Sequence, residues 1–106
     1  MTRDSQVEMN VPRRASFSSA DGGGDRCEGW IVGLSIHSAQ ITTIYPPPPT
    51  GADVVVESEL LEGEGVVTLR GRVDQSGSEG FDVRFGPLGE EDTKAIVRAS
   101  QRPPPP

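Results

Sequence analysis

Two runs of four prolines, Pro46–Pro49 and Pro103–Pro106, constrain this chain more than any other feature. A proline ring removes the backbone donor and clashes with the preceding helical turn, so no helix passes through either run. The two runs hold eight of the ten prolines, and thirteen glycines punctuate the rest. A helical bundle is excluded. Full disorder is the competing reading, because only 33% of the 106 residues are hydrophobic. The apolar residues are not dispersed, however. They gather in short blocks between residues 30 and 98, the pattern of one small domain with polar ends.

No apolar run approaches the ~18 residues of a membrane span. Met1–Asn10 holds no apolar signal-peptide core, so export by that route is not expected. Cys27 is the sole cysteine, which rules out an internal disulfide and a Cys-based zinc site. A partly buried thiol in a reducing cytoplasm is the expected state. The net charge is -6. Residues 1–26 balance four arginines against four acids, so the negative charge lies in 27–101, with twelve acids against five bases. Such a surface repels nucleic-acid backbones, whose affinity comes from Lys and Arg contacts to phosphate.

Residues 1–26 read as a mostly flexible arm, with Ser16, Ser18, Ser19 and Gly22–Gly24 as loop composition and Phe17 able to pin a short strand. Trp30–Ile36 is short, apolar and β-branched, as a buried strand would be. Gln40–Tyr45 predicts a second strand, stopped by Pro46. Pro46–Pro49 predicts a surface polyproline II segment, and Thr50-Gly51 a turn. Ala52–Leu60 follows as a strand, then a turn at Glu62–Gly65, then a strand over Val66–Val73. In that last strand Val67, Leu69, Gly71 and Val73 share one face and Thr68, Arg70 and Arg72 the other. Phe81–Phe85 alternates strictly. Glu90-Glu91-Asp92 opens a helix that runs to Ala99, its acids at the positive end of the helix dipole. Leu88, Ile96 and Val97 are its expected apolar contacts. The fold class is all-β: five or six short antiparallel strands in a barrel or sandwich with a C-terminal α-helix, 27–101, between an arm, 1–26, and a proline tail, 102–106.

Candidate chemistry is sparse. His37 is the sole histidine and cannot build a multi-histidine metal site. Ser35 and His37 share one side of a strand, but nothing supplies the orienting acid and oxyanion hole of a hydrolase, so no catalysis is expected. Gly22–Gly24 lacks the Lys-Ser/Thr of a phosphate loop. The acids at Glu62, Glu64 and Glu90–Asp92 lack the spacing of a calcium loop. Arg70 and Arg72 are expected to pair with Glu57 and Glu59 of the neighbouring strand, with a partner surface as the alternative. Trp30 belongs in the core or at the barrel mouth, where Trp30, His37 and Tyr45 form a candidate partner site.

From Glu28 to Ser100 the order of cues resembles the PilZ domain, a bacterial receptor module for cyclic di-GMP. A strand ends in Gly33-Leu34-Ser35-Ile36-His37-Ser38. A turn at Pro48-Pro49-Thr50-Gly51 leads to a Val-rich strand, then to Val67–Val73. Val83-Arg84-Phe85 is followed by Gly86-Pro87-Leu88 and a Glu-rich helix start. The resemblance implies two ligand motifs. Arg-x-x-x-Arg in the N-terminal arm grips phosphate and stacks on guanine, and (Asp/Asn)-x-Ser-x-x-Gly reads the guanine edge. The second motif falls on Gly33–Ser38, where only Ser35 matches: Gly33 has no side chain to read guanine, and Ser38 replaces the glycine. The first falls near Arg13-Arg14, and its second arginine is absent.

The resemblance therefore implies a divergent PilZ-like regulatory domain, a six-stranded antiparallel β-barrel with a C-terminal α-helix, non-enzymatic and without a cofactor. It would act in the cytoplasm on a protein partner, in a process such as motility or polarity, without high-affinity cyclic di-GMP binding. Its candidate partner contacts are Trp30, His37, Tyr45, Arg70 and Arg72. The alternative is a cyclic di-GMP receptor using Arg13, Arg14 and Ser35, with Gly33 and Ser38 beside them. A further alternative is a small β-barrel interaction domain unrelated to PilZ.

Overall fold

A computed structural model describes residues 7–20, 26–61, 63 and 65–100. Gly22–Gly24, Glu62, Glu64 and the tail Pro103–Pro106 lie outside the described residues. Six strands precede one helix: β1 Val7–Ser19, β2 Cys27–Leu34, β3 Ser38–Thr42, β4 Asp53–Ser58, β5 Val67–Ser76, β6 Gly80–Phe85 and α1 Glu90–Ser100. The strands close a barrel in the order β1-β2-β3-β6-β5-β4, with β1 returning to β4. Every pairing is antiparallel. The expected fold class is the observed one.

Period-two alternation builds the core. Val54 and Val56 of β4, Leu69 and Val73 of β5, and Phe81, Val83 and Phe85 of β6 all point inward and are buried. Ile31, Ala39 and Ile41 do the same from β2 and β3. The Phe17 and Phe81 rings meet edge to face with centroids 4.8 Å apart, tying β1 to β6 across the barrel interior. Ile96 of α1 is fully buried, with Leu88 and Ala99 packed against the same core. Val97 is exposed instead, because one residue along a helix turns the side chain about 100° away from Ile96.

Three elements differ from the sequence expectation. The 1–26 arm contains a 13-residue strand that pairs with β2 on one side and with β4 on the other. Among its described side chains the buried apolar ones are Ala15 and Phe17, and two flanking ladders from distant parts of the chain supply its partners. β3 ends at Thr42, short of the expected Tyr45, because its partner β6 begins opposite it at Gly80. Trp30 lies outside the core, half-exposed on the outer face of β2, because its neighbour Ile31 takes the inward direction.

The proline run ends as expected. Gly51 adopts a φ of 91°, a left-handed conformation that costs a glycine little, and its N–H donates to the Val73 carbonyl at 2.8 Å. Gly80 serves a different need. A Cβ there would collide with the Ile41 carbonyl oxygen across the β3–β6 ladder, so only a bare backbone fits.

Two outcomes follow for stability. Gly80→Ala forces β3 and β6 apart and lowers stability by about 1–3 kcal/mol, read as a lower urea midpoint; an unchanged midpoint would refute the close approach. Asp82, on the outer face of β6, has its carboxyl raised above the usual range by burial and secondarily by the Asp74 carboxylate. The folded protein then holds this proton more tightly than the unfolded chain, so stability falls as pH rises through the folded pKa. Asp82→Asn is expected to be more stable than the parent at pH 7, within about 0.5 kcal/mol. The gap should narrow below about pH 4, the range of an unfolded aspartate. Paired urea titrations at the two pH values check this, and a variant less stable than the parent at pH 7 would count against it.

Candidate functional site

The Ser35–Ser38 hairpin joins β2 to β3. Ser35 N–H donates to the Ser38 carbonyl at 2.8 Å, which closes a two-residue turn with Ile36 and His37 at its tip. Ser35 Oγ accepts the backbone N–H of His37 at 3.1 Å and of Ser38 at 3.0 Å. It also lies 3.4 Å from Ser38 Oγ. Both serines are buried, so the Ser35 hydroxyl is occupied in shaping the turn. Gly33 is buried in β2, opposite Glu8 in β1.

The two candidate arginines do not join this turn. Arg13 and Arg14 stand opposite Ile31 and Trp30, with Ser35 four residues along from Ile31, roughly 13 Å by strand rise. They also diverge from each other. Arg13 shares the inward-facing set with Ala15 and Phe17, and its Nε is buried with no hydrogen-bond partner among the described residues. Arg14 faces outward and forms an ion pair with Glu28. Strand alternation directs the two side chains to opposite faces of β1.

The outer face between β2 and β3 carries a different feature. An open groove of about 710 Å³ is lined by Trp30, Thr42, Thr43, Ile44, Tyr45, Arg14, Glu28 and Glu79. Trp30 is 49%, Ile44 96% and Tyr45 44% exposed. Thr43 holds the groove together. Its N–H donates to the Glu79 carbonyl at 3.0 Å, its Oγ1 donates to the Glu28 carbonyl at 2.8 Å, and the same Oγ1 accepts the Tyr45 N–H at 3.1 Å. These bonds turn the chain out of the ladder and leave Ile44 and Tyr45 on the surface.

His37 does not join Trp30 and Tyr45 as expected. It lines a separate hollow of about 320 Å³ beside Arg84, Leu88 and Thr93, because it sits at the opposite end of the β2–β3 hairpin. Arg70 and Arg72 line a third depression, about 530 Å³, together with Arg84. Their expected partners are not Glu57 and Glu59. The antiparallel register sets Asp53 opposite Arg72 and Glu57 opposite Thr68. Accordingly Arg72 Nε lies 3.2 Å from Asp53 Oδ1, while Glu57 pairs with Arg26 at 2.7 Å. Ile44 and the acids Glu28 and Glu79 were not singled out by sequence reasoning. The signal for Ile44 was its place just before Tyr45-Pro46, where a ladder is already failing.

Ser35→Ala would leave the His37 and Ser38 amides unsatisfied, which costs about 1–3 kcal/mol. Thermal unfolding should show a drop of several degrees, with ~4–8 °C per kcal/mol for a domain of this size. No change in midpoint would mean that water replaces the hydroxyl.

No family model matches the sequence. No curated protein matches it. Among the described residues no helix is long and apolar enough to cross a membrane. Solved structures are similar. The PilZ domain of CeSA from a cellulose-synthesising bacterium superposes with a TM-score of 0.69 at 17% identity, covering 88% of this chain and 93% of that one. The Bacillus subtilis inhibitor of motility, MotI/DgrA, superposes with a TM-score of 0.70 at 11% identity, covering 94% of this chain and 50% of that one. This chain thus spans about half the length of the motility inhibitor. The closed six-stranded antiparallel barrel followed by one C-terminal helix is the fold of a PilZ domain.

Proposed function

We propose that this chain is a non-enzymatic PilZ-like regulatory domain that acts in the cytoplasm by binding a protein partner through the Trp30–Ile44–Tyr45 groove. The observation that carries the reading is the exposure of these three large apolar side chains around one groove on a domain of net charge -6. Exposed aromatic clusters of this kind are enriched at interaction sites and supply their binding energy. Where β1 pairs with β4 the barrel is closed, and the groove presents side chains on the outer face for contact.

High-affinity cyclic di-GMP binding is not part of the proposal. Arg13 and Arg14 diverge across β1, Arg14 is engaged by Glu28, and Gly33 offers no side chain to read a guanine edge. One structural neighbour is named an inhibitor of motility, which favours regulation of a motility-type process as the setting.

Titration calorimetry with cyclic di-GMP and a pull-down from the native host test the two halves together. Calorimetry should show no binding at micromolar concentrations. Micromolar binding abolished by Arg13→Ala with Arg14→Ala would replace this reading with the receptor reading. The pull-down should recover a partner that Tyr45→Ala and Trp30→Ala each retain roughly thirtyfold less well, the effect of losing a ~2 kcal/mol anchor. Equal recovery by both variants would remove the groove from the proposal.

A further inference from the structure

We propose that the Trp30–Tyr45 groove takes the proline-rich segment Arg102–Pro106 from a second copy of this chain. The inference rests on the groove being an interaction site and names its occupant. A polyproline II strand is preformed, so docking it sacrifices little conformational freedom, and it is recognised by grooves lined with aromatic rings.

The groove has three matching properties. Trp30 and Tyr45 stand apart, since the ring pair in contact among the described residues is Phe17–Phe81. Both rings are exposed and open to contact with proline. Trp30 is half-exposed, and a proline carbonyl is an acceptor for its indole N–H on a backbone that has no donor to satisfy. The charges also match. Glu28 is already paired with Arg14, whereas Glu79 has no ion-pair partner among the described residues. The rim sums to one negative charge from Arg14, Glu28 and Glu79, and Arg102 directly precedes the proline run.

The occupant is not the groove's own neighbour. Pro46–Pro49 continues directly from Tyr45 and leads away to the Thr50-Gly51 turn. A second copy is the source because the start of α1 lies beside His37, with Leu88 and Thr93 in its hollow, at the opposite end of the β2–β3 hairpin from the groove. The groove is built from Arg14 of β1, Glu28–Trp30 of β2, Thr42 and the segment Thr43–Tyr45 that follows β3, and the loop between β5 and β6. Exchange of tails between two copies closes a symmetric pair.

Trp30 is the sole tryptophan, so its fluorescence reports on the groove without a label. The full chain should show a blue-shifted emission and a sedimenting mass approaching that of two chains as its concentration rises. A synthetic peptide of residues 101–106 should shift the emission and return the mass to one chain. Tyr45→Ala and the double change Pro104→Gly with Pro105→Gly should each abolish both effects. The tail changes lie beyond α1, and an unchanged circular dichroism spectrum verifies the fold. Arg102→Ala in the peptide should weaken its response by up to about fivefold, the size of an exposed ion pair. A single-chain mass at every concentration with no peptide response overturns the proposal, as does association that survives the tail changes. In either case the loss of a protein partner in Tyr45→Ala would still stand, which separates failure of this inference from failure of the interaction reading.

Discussion

Pairing between Ala15–Ser19 of β1 and Val54–Ser58 of β4 turns a six-stranded sheet into a barrel. Without it, β1 and β4 would each present a row of unpaired amides and carbonyls, and the core would open along one side. With it, Phe17 is carried inward to meet Phe81, and the inward-facing side chains of all six strands surround one interior. A barrel this small fills with side chains and holds no ligand inside. Whatever it binds must therefore be bound on its outside.

Closure also decides how the outside is divided. Each strand presents alternate residues, so neighbours in sequence part to opposite faces. Arg13 turns inward while Arg14 turns outward, and Ile31 enters the core while Trp30 is left on the surface. The same geometry that parts the two arginines leaves Trp30 exposed in the groove. Thr43 completes the exchange by drawing Ile44 and Tyr45 out of the ladder with bonds to Glu28 and Glu79. The hairpin serines, by contrast, are spent on the turn itself.

Much of the fold was legible because its strands are strongly patterned. Phe81–Phe85 and Val67–Val73 alternate cleanly, the proline run and Gly51 mark a turn, and Glu90–Asp92 marks a helix start. β1 was not legible, since among its described side chains the buried apolar ones are Ala15 and Phe17, and its ladders join residues distant in sequence. The site was legible in part. Trp30 and Tyr45 were singled out, but their grouping with His37 fails because the hairpin separates its two ends by the length of the strands. The expected partners of Arg72 fail for a similar reason: one register selects Asp53, and nothing local encodes which register that is.

The amino-acid sequence by itself determined the class of fold and the absence of a side chain at Gly33, because periodicity, turn chemistry and residue type are local properties. Only the tertiary structure decided which residues became neighbours. Barrel closure, strand register and the departure of Thr43 from the ladder are long-range outcomes, set by which backbone groups find partners far along the chain. They place Trp30 beside Tyr45, divide Arg13 from Arg14, and leave an apolar groove on an otherwise acidic domain.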